Sequence, residues 1–151
     1  MKFKTKERYS MRMMMSIATL STEQSPVGLG LVAKHSGISR KYLEQLVLPL
    51  KNAQLIRATP GRDGGYVLAK SPQKIRLGDI VSAAIGRIAV TDCAIGEEEC
   101  SKSMHCNCKS LWTLINNRIL ETLNEHSLSD LLEDNWSSIV KNQLEPRGKN
   151  E

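Results

Sequence analysis

Four cysteines fall within one short stretch, at Cys93, Cys100, Cys106 and Cys108, with the spacing C-x6-C-x5-C-x-C. Thiolates are soft ligands suited to zinc, copper(I) and iron–sulfur clusters. Structural zinc usually takes closely paired C-x-x-C-like knuckles, and two such pairs are lacking here. Wide spacing along a loop is more compatible with a cluster, which is larger than a single ion and commonly takes four protein ligands. Exchange-active thiols are the other reading. Arg87, Lys102 and Lys109 lie close in sequence, and neighbouring cations favour thiolate. A disulfide framework is not expected, because nothing in the sequence reads as a secretion signal. The basic-then-apolar start reads instead as an amphipathic helix, interrupted by Glu7 and Arg12, of a cytoplasmic protein.

The elements around the cysteines must position them. Tyr9, Met13, Ile17 and Leu20 recur at helical spacing, which predicts a helix over residues 5–21. Ser25-Pro26 reads as a cap for a short helix from Val27 to His35, which Ser36-Gly37 breaks. Ser39 caps a further helix to about Asn52, with Tyr42, Leu43, Leu46, Val47 and Leu50 on its apolar stripe. Pro49 removes one backbone donor from its last turn. Helix, tight glycine turn and helix make a helix-turn-helix, whose second helix offers polar side chains to a major groove.

Leu55–Thr59 and Tyr66–Lys70 read as two short strands around a Pro-Gly-Arg-Asp-Gly-Gly tip, with glycine supplying positive φ angles there. A hairpin in this place is a wing, and Arg62 at its tip is placed to reach a minor groove or a phosphate. Residues 77–86 predict a short helix ended by Gly86, and residues 91–105 a polar loop. Leu111, Leu114, Ile115, Ile119 and Leu123 then predict a long helix from Cys106 to Glu125. Its apolar face requires a partner, either the body of the domain or a second copy. A last short helix is expected from Ser127 to Val140, followed by a disordered tail over 141–151.

The fold expected is therefore mainly α: a winged helix-turn-helix with a two-stranded wing and a long C-terminal helix. Residues 1–86 form the DNA-binding domain, 87–108 the cysteine-rich loop, and 106–140 the long helix and the C-terminal helix. Charge agrees with this division. Residues 1–76 carry 14 Lys/Arg against 4 Asp/Glu, whereas residues 77–151 carry 7 against 12. A basic half joined to an acidic half suits a polyanion-binding module attached to a domain with another task. Aromatic residues are only 4% of the chain, which argues against stacking on many unpaired bases. No apolar run reaches the length of a membrane span. Catalysis is not expected: His35, His105 and His126 are scattered, no paired carboxylates or nucleophile motif emerges, and Glu97–Glu99 read as a solvated loop.

The stretches KTKERYSMRMMMSIA, GISRKYLEQLVLPLKNAQLI and PGRDGGYVLAKSPQKIRLGDIVSAAIG, followed by three cysteines with Trp112 six residues after the third, resemble the Rrf-type winged-helix regulators. This is the family of the iron–sulfur cluster regulator IscR and the nitric-oxide sensor NsrR, and the resemblance covers about residues 1–135. It implies a homodimer with crossed C-terminal helices, which makes 106–140 the dimerisation segment and sets two recognition helices on a near-palindromic double-stranded DNA operator. It places Ser39, Arg40, Lys41, Glu44 and Gln45 at the recognition helix, and Thr59 and Arg62 on the wing. It implies a two-iron or four-iron cluster on Cys93, Cys100 and Cys106. The family's histidine ligand position holds Lys109 here, which leaves the fourth ligand open among Cys108, His105 and Glu7, the last as a carboxylate from the other subunit. Pro60 stands where many relatives carry an arginine. The competing expectations are a cluster-free repressor responding to thiol oxidation or a partner protein, and a zinc-stabilised interaction module.

Overall fold

The computed structural model describes residues 3–96 and 106–144. Cys100, His105, the acidic run and the tail from residue 145 lie outside the described residues. Among the described residues seven helices and one hairpin follow in the order α1 (Thr5–Leu20), α2 (Leu29–Ser36), α3 (Arg40–Asn52), β1 (Ile56–Thr59), β2 (Gly65–Leu68), α4 (Leu77–Ile85), α5 (Asn107–Glu125), α6 (Leu128–Leu131) and α7 (Trp136–Leu144). Short 3-10 turns at Pro72–Lys74 and Asp92–Ala94 complete the order.

The helical spacing read in α1 and α3 is the core. Met13, Met14 and Ile17 of α1 and Leu43, Leu46 and Leu50 of α3 are buried against Val32, Ile38, Ile75 and Ile80. Apolar area removed from water here is the main term holding the three-helix unit together. α1 packs across α2 and α4, and α3 packs on both α2 and α4. The C-terminal segment returns to the same core. Leu128 is fully buried, and its N–H donates to the Ile75 carbonyl at 2.8 Å. Ser127 and Asp130 form a reciprocal cap on α6. The Ser127 N–H donates to the Asp130 carboxylate and holds its pKa below the usual carboxylate value. That contribution is present above the ordinary carboxylate range and is lost as pH falls through the lowered value.

Several boundaries differ from the sequence expectation. α2 begins at Leu29 after Gly28, not at a Ser25-Pro26 cap, because Val27 is taken by a β-bridge to Tyr66. The strands are shorter than expected, whereas α3 ends at Asn52, with Pro49 in its last turn, as the sequence indicates. The single helix expected over 127–140 is two, α6 and α7, and α7 runs to Leu144, past the start assigned to the tail. The loop expected at 91–105 contains the helical turn that carries Cys93.

Candidate functional site

The helix-turn-helix is fixed by local chemistry. Gly37 takes the left-handed conformation (φ 66°) that ends α2. The Arg12 guanidinium donates to the Ser36 carbonyl at this turn and lies over the Tyr9 ring, whose edge meets Tyr42 of α3. Ser39 caps α3 by accepting from the Tyr42 N–H at 3.3 Å. The role the structure gives it is to start the recognition helix. Arg40, Lys41, Glu44 and Gln45 are all exposed on α3, and Arg40 Nε donates to Glu44 Oε1 at 3.2 Å. This pair holds the carboxylate on the outer face of α3, where a Glu oxygen can accept from a cytosine amino group.

The wing is antiparallel, with Ile56 opposite Leu68 and Thr59 opposite Gly65. Thr59, Pro60 and Arg62 are exposed at its tip. Val27 and Tyr66 exchange backbone hydrogen bonds of 3.0 and 2.9 Å, which tie the wing to the segment leading into α2. Recognition helix and wing are thus positioned by one connected backbone framework.

The thiols lie on the other side of the sequence from this framework. Cys93 sits half-buried in the Asp92–Ala94 turn, 3.3 Å from Thr91 Oγ1. That turn packs on α5. Cys106 is the residue preceding α5, half-buried, and Cys108 lies exposed in its first turn. The free N–H groups and dipole of a helix start favour negatively charged ligand atoms there. Cys93, Cys106 and Cys108 are free thiols. Among the described residues no three His, Cys, Asp or Glu side chains stand together as a metal site. The full cysteine set includes Cys100, which is not among them.

Glu7 is buried at 6% exposure on α1, and its Oε2 has no hydrogen-bond partner among the described residues. It lines an open groove of about 420 Å³ together with Arg8, Met11, Arg12, Val81 and Leu123. A buried carboxylate oxygen without a partner is costly and commonly marks an unfilled ligand or ion contact. Within one chain Glu7 lies by Leu123, towards the opposite end of α5 from Cys106 and Cys108, so the structure does not bring it to the thiols. The thiols themselves are the soft donors that an iron–sulfur centre takes.

Sequence reasoning missed Asn116. It is the buried residue of α5, while Leu111 and Leu114 on the expected apolar face are 51% and 55% exposed. Its Oδ1 accepts from the Val90 N–H at 3.0 Å, and Arg87 donates to the Ile95 carbonyl at 2.9 Å. Together these bonds hold the Cys93 turn against α5. Only the polar interruption in an apolar helix pattern hinted at the role. Asn116→Leu is expected to leave the Val90 N–H unpaired, at a cost of about 1–3 kcal/mol. Hydrogen exchange at Val90 should accelerate while α1–α3 amides stay protected; unchanged exchange at Val90 would remove Asn116 from this role.

A family model described as Rrf2, iron-dependent transcriptional regulator, matches residues 3–134. The HTH-type transcriptional regulator IscR of Vibrio campbellii is 34% identical over 135 residues, covering 89% of this chain and 79% of that protein. The solved structure of T. potens IscR has a TM-score of 0.70 at 28% identity, over 98% of this chain and 94% of its own. That of CymR, the global cysteine regulator of B. subtilis, has a TM-score of 0.70 at 33% identity, over 87% and 96%. These relatives are named as regulators, not as enzymes.

Proposed function

Because the chain belongs to the Rrf2 family of transcriptional regulators, we propose that it binds a double-stranded DNA operator as a homodimer and that an iron–sulfur cluster controls that binding. In this reading residues 1–86 contact DNA, 87–108 hold the cluster, and 106–140 carry dimerisation. Lys41, Glu44 and Gln45 contact base edges or phosphates, and Arg40 orients Glu44. Thr59 and Arg62 reach the flanking groove from the wing. The exposed apolar face of α5, with Leu111, Trp112 and Leu114, supports the dimer.

The observation that carries the cluster reading is the presence of thiols on both of two segments that pack together. Cys93 sits on a turn packed against α5, and Cys106 and Cys108 sit at the start of α5. Cys93, Cys100 and Cys106 would hold the cluster, with Cys108, His105 or the Glu7 carboxylate of the other subunit as fourth ligand. When bound, the cluster supplies a redox-sensitive and exchangeable link between these segments. α5 packs on α4, and α4 packs on α1 and on the recognition helix α3. Movement of the Cys93 turn relative to α5 therefore changes how the two recognition helices of a dimer are spaced. Half-site spacing is set by the DNA repeat, so a small rotation costs affinity.

Protein purified without oxygen should be brown, with a broad visible absorption and matched iron and sulfide. A colourless protein that takes up no iron on reconstitution would contradict the cluster reading. The likeness to CymR, the global cysteine regulator of B. subtilis, favours one second reading, in which the free thiols at Cys93, Cys106 and Cys108 respond by oxidation or through a partner protein. That reading predicts colourless protein whose DNA binding changes with thiol oxidation. A colourless chain holding one zinc, without salt-dependent DNA binding, would instead indicate the zinc-stabilised module.

A further inference from the structure

An open groove of about 580 Å³ lies between the end of α3 and the base of the wing. Lys51, Arg57 and Lys70 line it together with Gln54, and no acidic side chain does. All three cations are exposed, and none is in an ion pair among the described residues. Gln54 adds a second observation. It is the one non-glycine residue with positive φ (53°) among the described residues. It stands where the Leu55 N–H reaches back to the Leu50 carbonyl to close α3, a position that glycine fills without strain. A non-glycine residue is uncommon at such a position, and here its side chain lines the groove.

The groove continues the surface assigned to DNA. Lys51 follows Glu44 by seven residues, which puts it on the same stripe of α3 about 10 Å further along the axis. Arg57 and Thr59 are two apart on β1, hence on one face of the strand and about 7 Å from each other. A concave row of unpaired cations with an amide donor recognises phosphate oxygens. We infer that Lys51, Gln54, Arg57 and Lys70 form a second contact track for the phosphates of duplex DNA, beyond the bases reached by α3. This inference rests on the DNA-binding reading and adds to it a sequence-independent site. Each neutralised phosphate releases counterions, so the track raises affinity and its salt dependence together while leaving base preference to Lys41, Glu44 and Gln45.

The test uses the full chain with two probes: a mixed-sequence duplex, and a duplex that the protein has selected from a randomised pool. Fluorescence anisotropy is measured across a salt series. The Lys51→Ala/Arg57→Ala/Lys70→Ala variant should flatten the slope of log affinity against log salt by roughly 2–3 units per protomer, at about 0.9 per phosphate. Its ratio of selected to mixed-sequence affinity should stay unchanged. Gln54→Gly relieves the positive φ, so it should melt no lower than the parent protein and yet bind both duplexes more weakly, with an unaltered slope. Parent-like slopes in the triple variant, or parent-like binding by Gln54→Gly, would overturn the track and leave DNA recognition by α3 standing. Absence of salt-dependent duplex binding by the parent protein would overturn the DNA reading itself and the track with it.

Discussion

Gly65→Ala is expected to destabilise the protein by about 1–3 kcal/mol, the usual cost of forcing atoms into a packed site, and to weaken operator binding at least as severely. A Cβ at Gly65 would lie 2.5 Å from the Val27 carbonyl carbon and oxygen and 2.9 Å from the Gly28 nitrogen. All of these are backbone atoms, so no side chain can turn aside to make room. The same residues carry the paired hydrogen bonds between Val27 and Tyr66 that seat the wing beside the entry to α2. Relief therefore requires the wing to move away from the helix-turn-helix, which shifts Thr59 and Arg62 off the groove proposed for them. Thermal denaturation and operator titration read the two effects. A variant that melts and binds like the parent would show that the wing is not held by this contact.

The second large effect is expected from the cysteines. Cys93→Ala and Cys106→Ala should each remove most of the iron from protein purified without oxygen. Even changes beyond the direct ligands typically cost roughly 10–100-fold in metal affinity, and removal of a thiolate ligand should cost no less. Cys100→Ala should behave alike. Cys108→Ala, His105→Ala and Glu7→Gln identify the fourth ligand: the one that supplies it should alter the visible spectrum or cluster lifetime, and the others should not. Circular dichroism separates ligand loss from unfolding, because the core of α1–α4 contains no cysteine. Full iron content in both Cys93→Ala and Cys106→Ala would remove these residues from the ligand set.

The winged helix was legible because its signals are local. Ser39, Gly37 and the apolar stripe of α3 each act within a few residues, so capping, left-handed turn and burial could be read in order. The wing glycines were legible in place but only partly in cause. Gly61 supplies a positive φ as expected, whereas Gly65 is required by the approach of Val27, a contact made across thirty-eight positions of sequence. No periodicity encodes such a contact. For the same reason Val27 read as the start of a helix when it is a bridge partner. Glu7 was legible as a candidate ligand through resemblance alone, since nothing in its neighbours in sequence shows that its oxygen is buried and unpaired. Asn116 was hidden because its effect is a single long-range hydrogen bond to Val90. The exposed face of α5, by contrast, was legible as a face in need of a partner, since Leu111 and Leu114 recur at helical spacing whatever covers them.

Operator titration of matched samples, cluster-loaded and cluster-stripped, tests the central claim most directly. A duplex selected by the protein is titrated with each form at one salt concentration and without oxygen. Separated binding curves are expected, with the difference abolished in Cys93→Ala. Superimposed curves for loaded and stripped parent protein would contradict control of DNA binding by the cluster, whatever colour the protein has.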